Sequence, residues 1–130
     1  MRSEPLHDRH ILLIEDDHDT RDVMQMMLEA CEADVVAVGT AEEALGHITA
    51  ERFDAVVSDL SMPQESGFWL IWRIRQLGRH VPVVAVTGRP FTRELAVRAG
   101  FDAYLQKPVD RETLCAAVLD AIASPSPRDD

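Results

Sequence analysis

The sequence predicts an α/β domain built on a doubly wound, five-stranded parallel sheet. Three observations carry that expectation. Five short, near-continuous apolar runs alternate with segments of helical periodicity, and strands covered on both faces lack the in–out alternation of half-exposed ones. Each strand–helix–strand step implies a right-handed crossover, which puts helices on both faces of the sheet. The length of 130 residues suits one compact domain, and no internal repeat interrupts the alternation.

Strands are expected at residues 11–14, 35–38, 55–57, 81–86 and 103–105. The first helix, 18–31, carries Val23, Met27 and Ala30 at helical spacing. The second, 41–50, follows Thr40, an N-cap with Glu43 three residues on, the signature of a capping box. The third, 67–77, places Leu70, Ile71, Ile74 and Leu77 on one core-facing side. The fourth runs from about 91 to 98 with Gly100 placed to end it, and the fifth covers 110–123. Residues 10–123 form the domain. The polar residues 1–9 are expected to be a flexible N-terminal tail, and the Ser/Pro-containing residues 124–130 a flexible C-terminal tail or the start of a linker.

Thirteen basic against twenty-three acidic residues give a net charge of −10, which argues against nucleic acid or an anionic membrane as a direct partner. The acidity either solvates the surface or gathers at a cation site. Cys31 and Cys115 lie far apart in helix-like apolar contexts. Buried free thiols in a reducing cytosol are the simpler reading than a disulfide or zinc site. Histidines 7, 10, 18, 47 and 80 show no metal-ligand spacing. The first nine residues lack the apolar stretch of a signal peptide, and no run reaches the length of a membrane span. A cytoplasmic protein is expected.

In open parallel sheets, ligands bind beyond the carboxyl ends of the strands. Glu15, Asp16 and Asp17 follow the first strand, Asp59 the third, Thr87 the fourth, and Lys107 and Pro108 the fifth, so the reactive side chains share one edge. Glu15, Asp16 and Asp59 in one pocket would repel by ~4 kcal/mol per pair at about 4 Å and an effective dielectric near 20. Such a cluster needs a cation, and an all-oxygen donor set suits Mg²⁺. Lys107 adds a fixed positive charge and Thr87 a hydroxyl. A carboxylate nucleophile in that company is equipped for phosphoryl transfer, which depends on positioning and charge neutralisation. Asp17 reads more simply as a helix-start carboxylate facing the dipole. Asp59, directly after an apolar strand, needs a functional reason to be there.

Taken in order, these segments resemble the receiver domain of response regulators over roughly residues 9–123: Ile11 to Ile14 with Glu15, Asp16 and Asp17; Val56, Val57, Ser58 and Asp59 with Met62, Pro63 and Gly67; Val84 to Thr87 with Gly88; and residues 99–108, ending on Lys107 and Pro108. The resemblance implies a flavodoxin-like (βα)5 sheet of strand order 2-1-3-4-5. It implies Asp59 as the phosphoacceptor, supplied by a sensor histidine kinase or a histidine phosphotransfer protein. Asp16 and Asp59 would bind Mg²⁺ with Glu15 and the Ser61 backbone carbonyl, and Lys107 would contact the phosphoryl group. Thr87 and Tyr104 would form a switch pair, and the bond before Pro108 would be cis, an uncommon geometry that marks constrained turns. Such a protein receives a phosphoryl group on its own side chain and is not an enzyme with an external substrate.

Three features depart from the pattern. Thr87 and Gly100 stand closer together than the family commonly has them, with Pro90 between, which implies a muted or atypical switch. Glu65 stands where a hydrophobic residue is common. On the third helix, Trp69 and Trp72 fall opposite the core face, with Phe68 at its margin. Either loops or the N-terminal tail cover them, or they form a partner or dimer surface, since such rings dominate interface energetics.

Other functions fit less well. A flavodoxin-type cofactor binder would need a Gly/Ser/Thr-rich phosphate loop where this chain has acids. An aspartyl phosphatase would carry a second acid at Ser61. A pseudo-receiver, binding partners without phosphorylation, is the main alternative. No DNA-reading segment follows residue 123, so either signalling through protein contacts is expected or the sequence is one domain of a longer regulator or hybrid kinase.

Overall fold

The computed structural model describes residues 4–62, 66–90 and 92–123. Pro63, Glu65 and the 124–130 segment lie outside the described residues. Five parallel strands, β1 (His10–Ile14), β2 (Asp34–Val38), β3 (Ala55–Ser58), β4 (Val83–Thr87) and β5 (Ala103–Gln106), form one sheet in the order β2-β1-β3-β4-β5. Between and after them run α1 (His18–Ala30), α2 (Ala41–Ala50), α3 (Gly67–Gln76), α4 (Arg93–Ala99) and α5 (Arg111–Ala123). This is the doubly wound architecture expected.

The pleat sorts the strand residues between two cores. Leu12, Ile14, Val56 and Ala85 pack under α2, α3 and α4 with Leu70, Ile71 and Ile74. Ile11, Leu13, Val57, Val84 and Val86 pack under α1 and α5 with Met24, Leu28, Leu114 and Val118. Both faces are covered, so the strands read as continuous apolar runs. Each fully buried Leu or Ile contributes roughly 2 kcal/mol by leaving water.

Helix ends follow local chemistry. Asp17 caps α1 by accepting from the Thr20 amide. Thr40 accepts from the Glu43 amide at 3.1 Å while its hydroxyl donates to the Glu43 carboxylate. Gly100 closes α4 at φ 103°, the left-handed conformation that suits glycine.

Several expectations need correction. On α1 the buried residues are Met24 and Leu28, while Val23 and Ala30 are exposed. Leu77 ends α3 as its C-cap and is 43% exposed, beyond the last buried residue of the helix, Ile74. β4 begins at Val83, not 81: Pro82 has no amide hydrogen, and only its carbonyl joins the sheet, accepting from Val56. The described part of the N-terminal segment is packed, not loose. Leu6 is 0% exposed in the α1–α5 core, and its amide donates to the Cys31 carbonyl at 3.1 Å.

Cys31 and Cys115 are free and buried. Burial first, then the neighbouring Cys31 thiol, pushes the Cys115 thiol up to about 12.

Candidate functional site

The sheet register builds the pocket. Ile14 pairs with Ser58, and the Asp59 amide donates to the Ile14 carbonyl at 3.1 Å, so Glu15 and Asp59 leave adjacent strands side by side. The Lys107 amide donates to the Thr87 carbonyl at 2.8 Å, which holds the β5 end against β4. The Lys107–Pro108 peptide is cis. Carboxylate oxygens of Glu15, Asp16 and Asp59 lie within 4.8 Å of one another, Glu15 and Asp59 buried and Asp16 exposed.

Lys107 reaches into this cluster, pairing with Glu15 and lying 3.2 Å from Asp59 Oδ2. The Ser61 amide donates to the other Asp59 oxygen, Oδ1, at 3.1 Å. Asp59, 7% exposed, is therefore fixed at both oxygens. Burial pushes the Glu15 carboxyl above its ordinary value; the Lys107 bond, the Asp17 amide and the Lys107 charge oppose this, and the Asp59 charge adds to it. For Lys107, burial lowers the pKa, but the Glu15 bond and the two carboxylate charges win and raise it. One ammonium thus pairs with two of the three clustered carboxylates. The unbalanced negative charge and all-oxygen donor set fit a hard divalent cation. Asp17 points elsewhere, into its capping bond with Thr20, which lowers its pKa.

Gly67 makes the pocket floor possible. A Cβ there would stand 2.3 Å from the Asp59 carbonyl oxygen, so α3 can start against the β3–α3 turn only with glycine at its first position.

A second cluster lies beyond β4. Thr87 is fully buried, and its hydroxyl accepts from the Arg89 amide at 3.2 Å. Tyr104 is also buried. Its hydroxyl lies 2.8 Å from the Thr92 hydroxyl and donates to the Arg89 carbonyl at 3.3 Å. The Arg89 guanidinium reaches back to the Ser61 hydroxyl at 3.3 Å. Arg89 and Thr92 escaped the sequence reading: Arg89 sits in an irregular stretch, where no periodicity says which way a side chain points, and Thr92, expected inside the fourth helix, is its N-cap instead.

The two α3 tryptophans separate. Trp72 is 57% exposed, as the wheel places it. Trp69 is not outward: it is half-buried, packs against the core under α2–α4, and carries the Arg73 guanidinium 5.4 Å above its ring. The described N-terminal residues cannot cover this helix, because Leu6 packs on the opposite face of the sheet.

Fold and pocket define a doubly wound α/β domain with a lysine-bridged acidic pocket at the carboxyl edge of its sheet. Residues 11–119 match the response regulator receiver domain, and the chain belongs to that family, whose members act as phosphorylation-activated switches in two-component signalling. It is 44% identical over 104 residues to a 14.6 kDa protein encoded in the sodA1 3′ region of Leptolyngbya boryana, covering 77% of this chain and 79% of that one. It is 31% identical over 122 residues to the response regulator MprA of Mycobacterium avium, covering 92% of this chain but 54% of MprA. Against the Escherichia coli regulatory protein GlrR, identity is 29% over 93% of this chain and 28% of that protein. Among solved structures, the receiver domain of the Pseudomonas aeruginosa sensor histidine kinase PA1611 superposes with a TM-score of 0.83 at 30% identity, over 90% of this chain and 99% of that one. It holds a magnesium ion in its active-site cleft. A receiver domain from Clostridium thermocellum gives a TM-score of 0.82 at 28% identity, over 88% and 94%. Among the described residues, no helix is long and apolar enough to cross a membrane.

Proposed function

We propose that Asp59 accepts a phosphoryl group from a phosphohistidine on a sensor histidine kinase or phosphotransfer protein. The carrying observation is the buried Asp59 carboxylate, 3.2 Å from the Lys107 ammonium and grouped with Glu15 and Asp16. A carboxylate oxygen attacks phosphorus; the P–O bond forms as the P–N bond breaks, and the imidazole departs to be reprotonated. The Ser61 amide and Lys107 hold the nucleophile in place beforehand, which removes an orientational cost from the step. Lys107 then pairs with a phosphoryl oxygen.

Asp16 and Asp59, with Glu15 and the Ser61 backbone carbonyl, would hold Mg²⁺, which neutralises charge on the phosphoryl oxygens when bound. Thr87, with its donor hydroxyl, and Tyr104 form the pair that reports the new charge, and the signal passes on through protein contacts.

Acetyl phosphate and intact-mass spectrometry test this. One phosphoryl group should be gained in Mg²⁺, none in EDTA, and none by Asp59→Asn. Mg²⁺ alone should raise the melting temperature, since a ligand at 100 times its Kd stabilises by about 2.7 kcal/mol. Stabilisation by Mg²⁺ with no mass gain would replace this reading with a pseudo-receiver, a partner-binding module independent of phosphorylation.

A further inference from the structure

We propose that Thr92 is a positioning residue that holds Tyr104 inside the molecule before any phosphoryl group arrives, and so limits how far this switch can move. The inference rests on the reading of Thr87 and Tyr104 as the switch pair.

Thr92 occupies the N-cap of α4, where a threonine hydroxyl ordinarily accepts from an amide of the first helical turn. Here no side-chain capping bond forms. The hydroxyl is diverted to the Tyr104 hydroxyl at 2.8 Å, with the Arg89 carbonyl 3.2 Å away. Thr92 is 7% exposed and Tyr104 9%, so these bonds are made away from solvent, where losing a partner leaves a polar group unsatisfied. The phenol is thus held at its hydroxyl by two oxygens, and the Arg93 guanidinium lies 4.8 Å above its ring.

Arg89 joins this hold to the phosphorylation pocket. Its amide donates to Thr87, and its carbonyl receives from Tyr104 and lies 3.2 Å from the Thr92 hydroxyl. A Thr87 hydroxyl that turns toward a phosphoryl oxygen must release the Arg89 amide, and any resulting shift of Arg89 is felt at Tyr104. A signal shifts a two-state equilibrium only from where it rests. With Tyr104 already buried and doubly bonded, little inward movement is left for phosphorylation to drive. The short α4 of seven residues brings its cap close enough to β5 to make this contact.

Tyr104 is the only tyrosine in the chain, so incorporated 3-fluorotyrosine gives a single ¹⁹F resonance whose solvent isotope shift reports exposure. Wild type and Thr92→Ser should both show a protected resonance that changes little with Mg²⁺ and beryllofluoride. Thr92→Val, isosteric but without the hydroxyl, should expose Tyr104 at rest and respond more to beryllofluoride. Thr92→Ala supports the same comparison if the valine variant does not fold, and the serine rescue separates a lost hydroxyl from general damage. A protected, unchanged resonance in the valine or alanine variant overturns the proposal. So does a large beryllofluoride response in wild type. Resting exposure of Tyr104 on loss of the hydroxyl supports Thr92 even where acetyl phosphate adds no mass, an outcome that removes the phosphorylation reading alone.

Discussion

Glu15 is 2% exposed yet sits beside two other carboxylates, and its protonation links the pocket to stability. Its raised pKa means the folded protein holds that proton more tightly than the unfolded chain does. The resulting stabilisation is complete below the ordinary value of 4.5 and is lost as pH rises through the folded value. Lys107, raised above 10.5, keeps its contribution throughout that range and loses it only in stronger alkali. In EDTA, Glu15→Gln should therefore gain on wild type as pH climbs from about 4 to 8, read as a converging or crossing pair of melting curves. A constant difference would show that Glu15 does not titrate differently on folding. Adding Mg²⁺ should flatten the slope, because a cation favours the charged carboxylate. The carboxylates, Thr87 and Lys107 were legible in the sequence because each sits where an apolar strand ends. Arg89 and Thr92 were not, since their partners lie across loops.

Elements are tied together at the other edge of the sheet by His10. Its ring stacks on Phe53, centroids 4.3 Å apart and planes 7° from parallel. Nε2 bonds the Glu51 carboxylate at 2.7 Å, and Nδ1 lies 2.9 Å from Asp34 without the alignment of a hydrogen bond. β1, β2 and the end of α2 thus meet at one imidazole. Burial lowers its pKa, but the Glu51 bond and the charges of Asp34 and Glu51 outweigh this and raise it. Stability from the protonated ring is complete below 6.5 and lost as pH rises through the folded value. His10→Gln should cost about 1 kcal/mol near pH 6, a modest figure because the carboxylates are partly solvated, with the difference shrinking in alkali. Urea titrations at several pH values check it, and a pH-independent cost would remove the ion pairs from the account. The histidine spacing alone could not reveal this arrangement, because the sheet brings together residues 41 positions apart. Asp17, Thr40 and Gly100 were readable because each acts within its own turn.

For the molecule as a whole, the α1–α5 core closes only when Leu6 is included. The segment looked loose because one leucine among polar residues has no periodicity, yet its side chain is enclosed and its carbonyl accepts from the Arg9 amide at 2.9 Å. Leu6→Ala should cost about 2–5 kcal/mol, the range for a buried leucine. Urea unfolding measures it, and a cost below about 1 kcal/mol would show that the core closes without this segment. The strand order was legible because the alternation of runs leaves few topologies, whereas which side chains from outside the repeat complete a core is settled only in three dimensions.

Lys107, bridging Glu15 and Asp59, is the only lysine in the chain; every other basic residue is arginine. An acylating reagent selective for amines therefore has a single side-chain target, and it stands inside the pocket. Whatever occupies that pocket competes with the reagent, so the rate at which the peptide carrying Lys107 gains one acyl group, read apart from any α-amine, becomes an occupancy gauge that needs no dye, mutation or antibody.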